Sequence, residues 1–134
     1  MPVRVPTATR NAIVNAVLGL LDADVGASKA EIRTGSQPAA ATDAATGTLL
    51  ATVVFADPAG TVSNGVLTFT DPAPVTAVAA GTAAWARILD NSGDTILDCA
   101  VSATGGGGEL QLATVSITVG LSVDVTAFSI TAPA

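Results

Sequence analysis

Aspartates two to four residues apart are the side chains of this sequence whose type and spacing could do chemistry. Asp22 and Asp24 form the closest pair, and Asp90 and Asp94 form the next. Paired carboxylates serve as acid and base in glycoside hydrolysis, but glycosidases place them across an aromatic-rich sugar cleft. The sequence has one Trp, three Phe and no Tyr. We therefore expect these aspartates not to form a hydrolytic pair.

Nucleophiles and metal ligands are scarce. Histidine is absent and cysteine occurs once, at Cys99. Without His, no Ser-His-Asp triad or Cys-His dyad can form, and a zinc site lacks its commonest ligands. A single cysteine cannot form a disulfide within the chain, and its apolar neighbours predict a buried, inert thiol. We expect a protein that is not an enzyme and uses no metal or other cofactor.

Two loop motifs have a chemical and a structural interpretation. The segment Asp90–Asp94 is similar to part of a calcium loop, but it lacks the glycine at the sixth position and the distal glutamate that such a loop needs. Gly105–Gly108 could cradle a phosphate, but no Lys-Ser or Lys-Thr follows it. Asn, Asp and Gly favour turns. We therefore predict a hairpin turn at the first motif and a mobile loop tip at the second.

Charge and length limit the partners. The 134 residues make one domain, 1–134, with five basic and eleven acidic residues and a net charge of -6. This charge is repelled by nucleic-acid phosphates and by anionic lipid, so we expect neither partner. No apolar run reaches the roughly 18 residues of a membrane span. The apolar stretch Ile13–Leu21 is interrupted by Asn15, which disfavours a signal peptide and predicts synthesis in the cytoplasm.

The first part of the chain predicts an arm and one helix. Residues 1–6 predict an extended arm that carries Val3 and Val5, and residues 7–22 predict a helix. Thr7 is a candidate for the helix cap. The apolar residues of this helix recur at helical spacing. They are Ile13, Val17, Leu20 and Leu21.

Residues 29–131 predict strands separated by turns. Lys29–Thr34 alternates in polarity, and Thr48–Phe55 is so apolar and β-prone that we expect a central strand. Asn64-Gly65 predicts a turn before a strand at Val66–Thr70. The other predicted strands are Val75–Ala80, Glu109–Ala113 and an alternating run from Val115 with a turn or kink at Gly120 and a bulge near Thr126-Ala127. Together they predict an antiparallel β-sandwich or jelly-roll-like domain with one N-terminal α-helix.

The segment Ala83–Ser102 predicts a hairpin with a defined register. Its turn is centred on Ser92-Gly93, so the numbers of opposite residues should sum to 185. Arg87 then faces Asp98 as a complementary cross-strand charge pair. The same register pairs Ile88 with Leu97 and Ala86 with Cys99.

The apolar content exceeds what a small monomer usually hides. Hydrophobic residues make up 49% of the chain, and Val75–Ala84 has few polar residues on either face. Since large exposed apolar patches are rare on monomers, we expect a second burial surface. Trp85 is interpreted either as a core residue or as the anchor of a subunit contact.

Several segments resemble small virion proteins of tailed bacteriophages. They are the helix with Arg10-Asn11-Ala12, Glu31–Pro38, Thr46–Ala51 running to Asp57-Pro58, and Ala80–Arg87. The resemblance covers nearly the whole chain and consists of turn and strand patterns, not catalytic residues. It implies a capsid decoration (cement) protein that binds the outside of the head and stabilises the shell. A tail or fibre-associated host-recognition module is the alternative, with the loops Ala39–Gly47 and Thr104–Gly108 at its distal tip.

The resemblance also implies partners. They are the major capsid protein and further copies of the chain in a homotrimer on the virion surface, with no small-molecule substrate. The N-terminal arm is expected either to dock onto the shell by strand addition or to be a disordered terminus. The expected capsid or subunit contact residues are Val3, Val5, Arg10, Trp85 and Arg87.

Overall fold

This computed structural model describes residues 3–23 and 26–133, which contain one helix and twelve short strands. Strands account for 40% and helix for 12%, which confirms a mainly β, sandwich-like fold with one helix. The helix α1 is Thr7–Leu21. The strands are β1 Lys29–Arg33, β2 Leu49–Val54, β3 Gly60–Ser63, β4 Val66–Phe69, β5 Val75–Thr76, β6 Gly81–Thr82, β7 Trp85–Leu89, β8 Thr95–Ala103, β9 Leu110–Leu112, β10 Ser116–Ile117, β11 Ser122–Val123 and β12 Val125–Thr131.

The helix packs on strands of its own chain, β3 and β4. Val14 and Leu21 are buried there, and Val17 is partly buried. Ile13 and Leu20 point away, 42% and 55% exposed. The predicted apolar stripe therefore straddles the edge of the packed face and is not all buried.

The ends of α1 differ from the prediction. Pro6 is the N-cap, without a side-chain hydrogen bond to the helix, so the predicted cap at Thr7 is wrong. Thr7 is already helical because the extended conformation that a cap residue adopts belongs to Pro6, with φ -67° and ψ 159°. The helix ends at Leu21, with Asp22 as its C-cap.

Eight strands form one sheet in the order β2-β1-β7-β8-β9-β12-β4-β3. The predicted strand over Thr48–Phe55 is found as β2, but it lies at the edge of the sheet, so its predicted central position is wrong. Its apolar residues Leu50, Ala51 and Val53 are buried nevertheless. One reason is that Val78 donates a backbone hydrogen bond to the Leu50 carbonyl from outside the sheet, 2.8 Å. An apolar strand sequence predicts that the side chains are buried, but it does not predict that the backbone pairs with a strand on each side.

The sheet curls until its two ends face each other. Phe55 follows β2 at one edge of the sheet, and Phe69 is the last residue of β4, the strand next to the other edge. Their ring centroids are 5.0 Å apart. Phe128 of β12 stacks on Phe69 at 3.9 Å and completes a cluster of all three phenylalanines. Phe55 therefore joins the β2 edge to β4 and β12, to which β2 is not hydrogen-bonded.

The β7–β8 hairpin has the predicted register. Arg87 pairs with Asp98, Ile88 with Leu97 and Ala86 with Cys99. Beyond Ile88 the register shifts by one residue, and the turn Asp90–Asp94 closes on itself. The predicted hairpin and its register up to Ile88 are confirmed, but the predicted turn centre at Ser92-Gly93 is wrong, because Asp90 pairs with Asp94 and the turn is centred on Ser92.

Other turn predictions are confirmed with additions. Asn64 and Gly65 have φ of 52° and 75°, the paired positive values of a two-residue hairpin turn. The strand that precedes this turn, β3, was not predicted. Gly120 has φ 85° and separates β10 from β11, and the β12 register shifts between Val125 and Ala127, which confirms the bulge.

The connection from β8 to β9 is unusual because these strands are parallel yet only residues 104–109 separate them. Parallel neighbours normally need a dozen or more connecting residues. Here the chain steps sideways, so that Val101 lies beside Leu110. Gly108 allows the step, because a Cβ there would lie 2.7 Å from the Ser102 nitrogen. Two hydrogen bonds hold the loop that was predicted as a mobile tip. The Gly105 N–H donates to Gln111 Oε1, and Gln111 Nε2 donates to the Gly106 carbonyl.

Candidate functional site

The candidate carboxylates serve the fold. Asp22 accepts a hydrogen bond from the Ala59 N–H at 3.0 Å and so ties the end of α1 to the segment before β3. Asp90 accepts one from the Asp94 N–H at 2.9 Å across the hairpin turn. Asp24 lies outside the described residues. Within residues 3–23 and 26–133, no group of three or more His, Cys, Asp or Glu side chains is placed to hold a metal ion.

Cys99 is a buried free thiol on β8. Burial raises its pKa to about 12, and the negative charges of Glu109 and Asp98 add to the effect. A thiol reacts as the thiolate, so Cys99 is unreactive at neutral pH. The predicted inert thiol is confirmed by its burial.

Arg87 and Asp98 form a bidentate ion pair across β7 and β8. Nε donates to Oδ1 at 2.8 Å, and Nη2 donates to Oδ2 at 2.9 Å. Their side chains are 7% and 2% exposed. The hydrogen bond to Asp98 raises the pKa of Arg87, although burial opposes the shift. This pair is an internal brace of the sheet.

The segment 34–48 covers this pair. Arg87 Nη1 donates to the Asp43 carbonyl at 2.8 Å, and Trp85 Nε1 donates to the Thr34 carbonyl at 3.1 Å. Trp85 is 1% exposed and Arg87 6%, which confirms the core interpretation of Trp85. Neither side chain has surface to offer a partner, so both must be removed from the expected contact residues. The hairpin register identified the ion pair, but only the long-range bonds show that a loop closes over it.

Arg10 and Asn11 hold α1 in place. Arg10 Nη2 donates to the Ala132 carbonyl at 3.1 Å, and the Gly65 N–H donates to Asn11 Oδ1 at 2.7 Å. Arg10 is therefore a half-buried link between the helix and the ends of β4 and β12, not a free surface cation. Ahead of it the arm is more open, with Val3 84% exposed.

The outer surface of α1 carries no charge and is mostly apolar, with Thr9 and Asn15 among its exposed polar residues. We call Ala12, Ile13, Ala16, Gly19 and Leu20 the outward face; each is exposed. The only charged residue of α1 is the arginine at its start, which is turned toward the domain. Sequence reasoning missed this face because the apolar residues of α1 extend around most of its circumference.

A second apolar region lies beside β2. Val54, Val78 and Val119 are 51%, 68% and 69% exposed. The segment that holds Val78 bonds to β2 through the Leu50 carbonyl, and the turn after Val119 bonds to the same segment through the Gly120 N–H and the Ala77 carbonyl, 3.0 Å. We call these three side chains the valine edge.

A groove of about 340 Å³ opens where β4 and β12 separate. Its floor includes the stacked Phe69 and Phe128, and Asp71 is its one ionisable lining residue. With one ionisable group, the groove has no pair of carboxylates for acid–base chemistry.

Comparisons with known proteins give no match: no protein-family model, no curated protein and no solved structure is similar to this chain. In the described part of the chain, no helix is both long and apolar enough to cross a membrane.

Proposed function

We propose that this chain is a structural protein of a tailed-phage head, a decoration protein that binds the outside of the shell. The single observation that carries the proposal is the outward face of α1. A protein of net charge -6 leaves one whole helix face without a charge and with Ile13 and Leu20 about half exposed. Exposed apolar patches of this kind mark binding surfaces.

The proposed partner surface is apolar and weakly charged, because α1 offers no charge outward to select a charged one. Full burial of an Ile or Leu side chain stabilises by about 1.5–3 kcal/mol. Since roughly half of each side chain is already covered in the free protein, docking would contribute about 2 kcal/mol per copy from the two residues. So small a contribution per copy supports binding when copies are joined in an oligomer, because linked sites bind the shell together.

The test is a paired substitution with a matched control on the same helix. Ile13→Gln with Leu20→Gln should weaken co-sedimentation with undecorated heads about 30-fold. Ala8→Gln with Asn15→Gln has the same spacing on an exposed flank of α1 and should leave binding unchanged. Glutamine is a good helix former, so both pairs should fold. Equal binding by both pairs would refute the assignment of this face.

Location on the virion separates the proposal from its alternative. Gold-labelled antibody against the chain should mark heads, and heads without the chain should rupture at a lower temperature. Label on tails alone would favour the tail or fibre-associated module. Equal heat resistance with and without the chain would remove the stabilising role.

A further inference from the structure

We propose that the free edge of β2 binds the N-terminal arm, residues Val3–Pro6, of a second copy of this chain, which pairs there as an added strand. In each copy Val3 and Arg4 of the arm and Val54 of β2 are exposed. This inference goes beyond binding to a shell. It concerns contacts between copies and can be measured on the purified protein.

Half of the β2 edge has no hydrogen-bond partner among the described residues. In an antiparallel pair, alternate residues direct their backbone groups to the same neighbour. Phe55 donates its N–H to the Ser28 carbonyl toward β1, so Ala51 and Val53 also face β1. Thr52 and Val54 therefore direct their N–H and C=O groups outward. Residue 50 faces the same way, and its carbonyl is the one taken by Val78.

This edge lacks the features that usually protect an edge strand. Natural sheets block free edges with charges, prolines or bulges that turn the edge away. Leu49–Val54 contains no charge and no proline, and its register shift lies at the covered end near Leu49, not at the open end. The exposed valine edge flanks it. An open backbone bordered by apolar side chains is the pattern that binds an extended peptide by strand addition.

The N-terminal arm has the complementary properties. Pro6 is extended, and Val3 is 84% exposed. Val3 and Val5 alternate with Arg4, so one side of an added strand would be apolar and the other cationic. At about 3.3 Å per residue, residues 3–6 span about 10 Å from first to last Cα, which is enough to pair with the open residues 52–54.

Charge favours the arm of another copy as the occupant. Residues 1–6 carry one arginine and no acid, whereas the rest of the chain carries four basic and eleven acidic residues. Opposite potentials attract the arm of one copy to the acidic body of the next. Because the donor and acceptor surfaces differ, the contact is heterologous and closes into a ring when the rotation between copies permits.

The first test is the size of the purified protein in solution. We expect a concentration-dependent oligomer by analytical ultracentrifugation. Val54→Lys should raise its dissociation constant about tenfold, because a charge replaces a half-exposed apolar side chain at the contact. Thr61→Lys adds the same charge to exposed β3 at the opposite sheet edge and should leave the constant unchanged. A strictly monomeric wild-type protein, or equal weakening by both variants, would overturn the inference.

Cross-linking identifies the occupant. Val3→Cys and Val54→Cys are made in separate copies of different mass and mixed under mild oxidation; buried Cys99 serves as the unreactive internal control. We expect disulfides between the two species. Disulfides formed only between two Val54→Cys copies would show edge-to-edge pairing of β2 and would overturn the arm as the occupant. The absence of any cross-link would also overturn it. Self-association without binding to heads would refute the proposed function and leave this inference standing.

Discussion

Removal of the Asp98 carboxylate should be among the most damaging single changes in this domain. The carboxylate is 2% exposed and accepts two short hydrogen bonds from Arg87, which itself is 7% exposed. Asp98→Ala leaves a buried guanidinium that keeps a hydrogen bond to the Asp43 carbonyl and the charge of Glu31 opposite it on β1, but loses both bonds to its carboxylate partner. Loss of one member of a buried pair typically costs about 3–5 kcal/mol.

That cost is large against the whole domain. At about 0.05–0.15 kcal/mol per residue, this chain has a free energy of unfolding of about 7–20 kcal/mol. The assay is urea unfolding followed by the fluorescence of Trp85, which lies on the same strand as Arg87. The double variant Arg87→Met with Asp98→Leu should recover most of the loss, since apolar residues of similar size can replace a buried pair at little cost.

The less buried pair on the neighbouring strand is the comparison. Arg33 and Glu31 lie 3.3 Å apart with side chains 17% and 25% exposed. Because Glu31 also faces Arg87 across β1 and β7, the comparison variant is Arg33→Met, which keeps the aliphatic stem and should cost less than about 1 kcal/mol. If Asp98→Ala cost no more than Arg33→Met, the Arg87 pair would be an ordinary weak ion pair and this reasoning would fail.

Three further predictions use the same unfolding assay. The Cys99 pKa rises from about 9 in the unfolded chain to about 12 in the fold, so the unfolded chain loses the thiol proton first. Stability relative to Cys99→Ala should therefore fall between pH 9 and 12 by up to about 1.4 kcal/mol per unit; a pH-independent difference would contradict the burial argument. Gly65→Ala should cost more than Gly93→Ala, because both have positive φ, but only at Gly65 would a Cβ meet the arginine of α1, at 2.7 Å. Equal losses would mean that this contact adjusts freely. Asp22→Ala should cost about 1–2 kcal/mol by removing the acceptor of the Ala59 N–H, whereas Asp22→Asn keeps an acceptor and should be nearly neutral; similar losses would refute the hydrogen-bond role.

Local features of the fold could be predicted from the sequence, because their determinants are near each other in the chain. The turn between β7 and β8 and the two-residue period of strands together set the register that brings Arg87 to Asp98. Asn64-Gly65 specified its turn in the same way, since its positive φ values suit few other residues.

The candidate binding surfaces depended on contacts between distant parts of the chain. An apolar strand such as β2 has the same local pattern at the centre or at the edge of a sheet, so only the strand order revealed its open edge. Ile13 and Leu20 belong to a helix that is apolar on most sides, and the packing of α1 on β3 and β4 decided which side faces outward.

The sequence alone determined that this protein lacks histidine, carries one thiol and folds mainly into strands with one helix, because composition and short-range periodicity are properties of the chain itself. Only the tertiary structure decided which apolar residues are hidden, since burial is set by the strands and loops that pack together from far along the chain. In the folded protein Trp85 and Arg87 are buried, whereas the outward face of α1 and the valine edge are exposed.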